Sequence, residues 1–217
     1  MIAETTVIKS GDWILRKRTP EGDGPYKLLL LLHGWTGDEN SMWIFSHRLP
    51  KRYLLISPRG IFSTPLGGYG WQDNTVKGWP KAADFQTSIE ALLDLVKLLD
   101  FPGIKVDQFD LMGFSQGAAL AYVMTLMYPE RIHKLAGLSG FLPEGLESEI
   151  GAEPLQGKKV FVAHGRMDEM VPIDKARRVV QVMKNAGAEV LYCEEDIGHK
   201  LSSGCFRGME EYFVDSR

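Results

Sequence analysis

The 217-residue chain is predicted to be an α/β protein with a mostly parallel central sheet, flanked by helices on both faces. Three observations predict it. Short apolar runs recur along the chain, each followed by turn residues and then a helical pattern. Several of these runs are apolar on both faces, as strands buried within a parallel sheet are. No internal repeat, low-complexity tract or linker breaks the alternation, so residues 1–217 are expected to form one domain without a cap.

The elements follow in order. Trp13 to Arg18 reads as an entry strand at the sheet edge. Lys27 to Leu32, with five consecutive leucines, is the first central strand. A helix is expected from Asn40 to Leu49, then a strand from Tyr53 to Ser57. The connection from Arg59 to Pro80 is about twice as long as most loops, and loops of that length are usually functional or disordered. Its aromatics, among them Tyr69, Trp71 and Trp79, favour function. From Ala82 to Asp100 the side chains of Phe85, Ile89, Leu92, Leu93, Val96 and Leu99 share one helical face, and Phe101-Pro102-Gly103 stops the helix. Later strands are expected at Phe109 to Gly113, Leu135 to Ser139, Val160 to Ala163 and Glu189 to Cys193. Helices are expected at Gln116 to Met127, at Ile173 to Ala186 with Gly187 as the C-terminal cap, and from Ser203 onward. Gly140 to Lys158 is too short for a covering domain, which predicts an open site.

Composition narrows the function classes. The chain is 44% hydrophobic and 24% charged with a net charge of -3, which is ordinary for a folded globular protein. Twenty-five basic against 28 acidic residues, without a long basic block, argue against nucleic acid as a partner. The leucine run is far short of the about 20 apolar residues needed to span a bilayer, so no stable membrane insertion is expected. Met1 to Trp13 lacks the basic start, apolar block and small-residue cleavage site of a secretory leader, which predicts a cytoplasmic protein. On that ground Cys193 and Cys205, the two cysteines, are expected to be reduced thiols, and they lack the spacing of a metal site.

The chemistry centres on Gly113-Phe114-Ser115-Gln116-Gly117, which follows a strand and opens into Ala118-Ala119-Leu120-Ala121. With 23 glycines, the bare Gly-x-Ser-x-Gly pattern is expected about 0.1 times by chance, and the strand before and helix after it are the context a nucleophile elbow requires. A serine on so sharp a turn sits in strained backbone, and the glycines two residues either side let strand and helix approach. The turn also puts the serine at a helix N-terminus, where free N–H groups favour a developing anion.

A serine hydroxyl needs an adjacent base, itself oriented by an acid, and on such a sheet the chain order is serine, acid, histidine. Of the two histidines placed late enough, His199 lies between the last strand and the last helix and is the expected base. His164, at the end of a strand, shapes the turn that carries the acid. Asp168 is the expected acid, with Glu169 as its neighbour and alternative. The oxyanion requires two N–H donors: Gln116 is one, and the other is most simply Trp35, with Thr36 as the alternative. His33 is read as pinning that loop. Expected pocket walls are Trp35, Tyr69, Trp71, Met167, Met170 and Leu201.

The motifs His33-Gly34-x-x-Gly37-Asp38-Glu39-Asn40, Ser57-Pro58-Arg59-Gly60, Gly113-Phe114-Ser115-Gln116-Gly117, His164-Gly165-x-x-Asp168-x-x-Val171-Pro172 and Gly198-His199 resemble those of the phospholipase/carboxylesterase family of α/β-hydrolases, across nearly the whole chain. The resemblance implies a minimal, lidless hydrolase with no metal or other cofactor. Its broad esterase or thioesterase activity would be carried by residues matching Ser115, Asp168 and His199, with oxyanion donors matching Trp35 and Gln116. Thr36 and Trp71-Gln72-Asp73 depart from the acyl-protein thioesterase branch, which has a glycine and Trp-Phe-Asp there; the bacterial carboxylesterase-like members match better. The partner so implied is a small-molecule ester, and a homodimer is left open. A small- to medium-chain carboxylesterase is the leading expectation. A long-chain thioesterase or lysophospholipase shares its triad, and a non-catalytic binding module on the same fold is the third reading.

Overall fold

The computed structural model describes residues 5–75, 77–99, 101–104, 106–146 and 153–214. The strands β1 (Thr5–Ser10) and β2 (Trp13–Arg18) form an antiparallel hairpin. Then come β3 (Lys27–Leu32), β4 (Tyr53–Pro58) and a two-stranded ribbon of β5 (Phe62–Ser63) and β6 (Tyr69–Gly70). Next are α1 (Gln86–Leu98), β7 (Phe109–Phe114), α2 (Gln116–Met127) and β8 (Ile132–Leu138). The chain continues through β9 (Lys159–Gly165), α3 (Ile173–Asn185), β10 (Glu189–Glu195) and α4 (Ser203–Val214).

The main sheet runs β1-β2-β4-β3-β7-β8-β9-β10. β2 is antiparallel to β4, and every pairing from β4 to β10 is parallel. The leucine run explains how both faces are filled. Side chains alternate across a strand, so Leu28, Leu30 and Leu32 enter the core beneath α1, α2 and α3, while Leu29 and Leu31 enter the core under α4. Each of the five is at most 1% exposed, which is why the strand carries no polar alternation. α2 is the central helix, and its residues from Gln116 to Leu126 are all buried.

Four sequence expectations change. β1 was not foreseen, because a half-exposed edge strand carries only Val7 and Ile8 as apolar signal. The helix expected from Asn40 to Leu49 is reduced to a 3₁₀ turn at Ser41–Phe45. Its following carbonyls are drawn off by Arg18, whose guanidinium donates to Ser46, Leu49 and Pro50. The helix expected from Ala82 starts with a 3₁₀ turn before α1, and its expected end at Asp100 lies outside the described residues.

The fourth change concerns the cysteines. Cys193 on β10 and Cys205 in the first turn of α4 form a disulfide, not two reduced thiols. Their Cα atoms are 5.5 Å apart, within bridging range, because α4 folds back onto the edge strand. A spacing of twelve residues gives no hint of that. No helix among the described residues is long and apolar enough to cross a membrane.

Candidate active site

The parallel strands deliver their loops to one edge of the sheet, where open α/β sheets bind ligands. Ser115 stands at the end of β7 with φ +52° and ψ −117°, a conformation non-glycine residues hold only under constraint. The constraint is visible in its neighbours. A Cβ on Gly113 would lie 2.3 Å from the Gly117 carbonyl oxygen, and one on Gly117 would lie 2.2 Å from that of Leu32. The Ser115 amide is tied to the Leu138 carbonyl at 2.8 Å. Gly34 packs so closely that an added Cβ would meet the Ser115 Cβ at 3.3 Å, so the loop after β3 lies directly against the serine.

The residues expected as acid and base stand on the loops after β9 and β10. His199 Nδ1 donates to Asp168 Oδ2 at 2.7 Å, and Asp168 is buried. The other carboxylate oxygen, Oδ1, accepts the amides of Met170 and Val171, both at 2.9 Å. Those bonds fix the carboxylate and leave Oδ2 for the imidazole, whose remaining nitrogen Nε2 is then the one free to accept a proton. The His199 ring packs against Phe114 with centroids 5.0 Å apart, which brings it beside the elbow. Glu169, the alternative acid, is exposed. His164 is buried and donates from Nε2 to the Val171 carbonyl at 2.7 Å. Burial holds its pKa below the ordinary value, so it stays neutral and braces the acid's turn.

The loop after β3 is held by His33. Its Nε2 accepts the Gly60 amide at 2.8 Å, so Nδ1 carries the proton and donates to the Gly34 carbonyl at 2.7 Å. Its own carbonyl accepts the Trp71 indole N–H at 2.8 Å. Burial depresses the His33 pKa as well. The Trp35 amide has no acceptor among the described residues. Gln116, as the first residue of α2, has an N–H that precedes intrahelical bonding. Two free donors therefore flank the serine. Thr36, with φ +65°, turns the chain just beyond the first of them.

Two features of this framework were not read from the sequence. Arg59 forms a two-pronged ion pair with Glu39, at 2.7 and 3.0 Å, and lies over the Tyr69 ring. The carboxylate of Glu39 is held below its usual pKa by that guanidinium. Both residues stood inside recognisable motifs, but nothing in their spacing revealed the pairing. The side chain of Gln116 accepts the Trp71 amide at 2.9 Å, and Ser88 donates to the Trp71 carbonyl at 2.7 Å.

Two depressions meet at Trp35. The larger, about 680 Å³, is lined by Gly34, Trp35, Ile44, Phe45, Phe114 and Leu201 among others. The smaller, about 290 Å³, contains Ser115 and Gln116 with Trp35, Trp79, Phe141 and Met170. Of the expected walls, Trp35 thus lines both, Leu201 the larger and Met170 the smaller. Trp71 is corrected: it is fully buried, because its indole is spent on His33 in the core. Tyr69 is occupied by Arg59, and neither it nor the exposed Met167 lines these depressions. Trp79, marked in the sequence only as a loop aromatic, and Phe141 meet edge to face at 4.6 Å and line the smaller depression without having been among the expected walls. The one group among the described residues with three clustered metal-ligand types is Cys193, Glu195 and Cys205, and its sulfurs are spent on the disulfide.

A strained serine at a strand-to-helix elbow, with a histidine–aspartate pair on later loops of a parallel sheet, defines an α/β-hydrolase. The chain belongs to the phospholipase/carboxylesterase family, whose model matches residues 19–214, and it is a hydrolase of that family. Acyl-protein thioesterase 1 of Debaryomyces hansenii is 29% identical over 180 residues, 73% of this chain and 77% of that protein. Carboxylesterase SOBER1 of Arabidopsis thaliana is 28% identical over 138 residues, 59% of each chain. Among solved structures, the Bacillus cereus carboxylesterase superposes with a TM-score of 0.79 at 21% identity, covering 93% of this chain and 92% of that one.

Proposed function

We propose that the protein hydrolyses carboxylic esters of small to medium acyl groups through an acyl-enzyme on Ser115. The observation that carries the reading is the His199–Asp168 hydrogen bond of 2.7 Å, beside a serine held at φ +52°. In this mechanism Ser115 Oγ attacks the acyl carbon while His199 Nε2 takes its proton, and Asp168 stabilises the resulting imidazolium. The Trp35 and Gln116 amides receive the oxyanion. Collapse expels the alcohol, which takes the proton from His199. Water, activated by the same imidazole, then releases the acid.

No element among the described residues covers the depression at Ser115, so the ester enters it directly. The apolar depression beside Leu201 and Phe114 suits an acyl chain, and the smaller one at Ser115 suits the alcohol. The size of the larger depression also favours a second reading, a thioesterase acting on longer chains, in keeping with the thioesterase name carried by the Debaryomyces relative. Turnover of a series of p-nitrophenyl esters from acetate to palmitate, run beside the matching acyl thioesters, decides between them. A kcat/KM that peaks at short or medium esters supports the first reading. A strong preference for long thioesters overturns it in favour of the second.

A further inference from the structure

We infer that the Cys193–Cys205 disulfide is a positioning device for His199, so that turnover responds to the redox state of this one bond; the inference rests on the hydrolase reading above. The bond closes a loop of chain that contains the base. Cys193 lies in β10 and Cys205 in the first turn of α4, and His199 falls between them.

The two ends of the intervening segment are held in different ways. Upstream, the Arg166 amide donates to the Glu195 carbonyl at 2.8 Å, the Met167 amide donates to Ile197 at 3.1 Å, and Asp196 pairs with Arg166. Downstream, the Cys205 amide is capped by Ser202 Oγ at 3.0 Å, a bond wholly within the start of α4. Between these anchors, Gly198 to Leu201 make one backbone hydrogen bond among the described residues, from Lys200 to Gly198. The base therefore sits on a segment with almost no backbone fastening of its own.

The far half of α4 is fastened independently. Lys134 Nζ donates to the Tyr212 carbonyl at 2.8 Å, and the Tyr212 hydroxyl reaches the Lys159 carbonyl at 2.7 Å. The near half, which leads directly from His199, is joined to the sheet covalently through Cys205 and is otherwise held by side-chain packing, with Phe206 stacked on Phe45 at 5.7 Å between centroids. Opening the bond thus leaves the fold seated while removing the covalent anchor of the helix end that, together with Asp168 and Phe114, positions the base. The bond is also reachable, since Cys193 is half-buried and lines a cleft of about 430 Å³ between β10 and α4.

Reduction by an external dithiol breaks the Sγ–Sγ bond. Two electrons and two protons convert Cys193 and Cys205 to thiols, and the dithiol becomes its own disulfide. Misplacing a catalytic group by about 1 Å costs on the order of a hundredfold in rate, so a loosened His199 lowers kcat while leaving the acyl depression, and KM, largely unchanged. In a reducing compartment such a bond is open, and it closes under oxidation.

The test uses the intact protein in both redox states. Wild-type enzyme is assayed oxidised, after dithiothreitol, and after re-oxidation, beside C193A/C205A. Alkylation and mass spectrometry count the thiols, and urea unfolding verifies that each form is folded at the assay temperature. A serine-directed phosphonate that labels Ser115 in the oxidised enzyme verifies the hydrolase reading separately. The expected result is a kcat about ten- to a hundredfold lower in the reduced form and in the double variant. KM stays within about threefold, activity returns on re-oxidation, and the double variant is indifferent to dithiothreitol. A bond that merely stabilises the fold would lower the urea midpoint and leave kcat unchanged. That result, or two freely alkylated thiols in the enzyme before reduction, overturns the inference.

Discussion

The side chain of Gln116 accepts the backbone N–H of Trp71 at 2.9 Å, so the residue that follows the serine also holds the long connection after β4. One residue thereby links the elbow to the rim of the site. Its amide is the donor proposed for the oxyanion, while its side chain fixes Trp71, whose indole in turn holds the His33 carbonyl. The elbow, the loop after β3 and the connection after β4 form one hydrogen-bonded unit.

Replacing Gln116 by Ala leaves the Trp71 amide buried without an acceptor, which costs about 1–3 kcal/mol. Urea unfolding measures it. Because the backbone N–H at position 116 survives, the loss of stability should exceed any loss in kcat expressed in the same units. A variant as stable as the wild type would show that the bond does not hold the loop.

The strain at Ser115 predicts a trade between stability and activity. Ser115→Ala and Ser115→Gly both remove the nucleophile and should both abolish turnover. Glycine alone relieves φ +52° and should raise stability by about 1 kcal/mol, or about 2–4 °C in Tm for a domain of this size. Equal melting temperatures for the two variants would mean that the elbow stores no strain.

Acid should weaken the fold through His33 and His164. Burial depresses both pKa values, so between the folded and unfolded values the unfolded state binds more protons, and stability rises with pH. Their contribution is complete above the unfolded value of about 6.5 and is lost as pH falls through the folded values, by up to about 1.4 kcal/mol per pH unit for each histidine. Urea unfolding between pH 7.5 and 5 should show this decline. A flat profile would contradict the assignment of both rings as buried and neutral.

Much of this arrangement was legible because local chemistry dictates it. The elbow announced itself through Gly113 and Gly117, each required by a backbone oxygen closer than a Cβ permits. The order of serine, acid and histidine followed from the sheet. The 3₁₀ turn at Ser41–Phe45 was not legible, because the competitor for its carbonyls, Arg18, lies more than 20 residues upstream. Trp71 was misread for a related reason: composition marks an aromatic loop, but only tertiary contacts decide that its indole serves His33 in the core. The disulfide likewise depends on how α4 returns to β10. Local pattern carried the candidate catalytic residues, and long-range hydrogen bonding carried what holds them.

The acyl-enzyme on Ser115 is tested most directly by treating the protein with a serine-directed fluorophosphonate and locating the adduct by mass spectrometry, in the wild type and in His199→Ala. One adduct is expected, on Ser115, formed together with complete loss of esterase activity, and formed at least about a hundredfold more slowly without His199. An adduct on another serine, or undiminished labelling of Ser115 in His199→Ala, would contradict it.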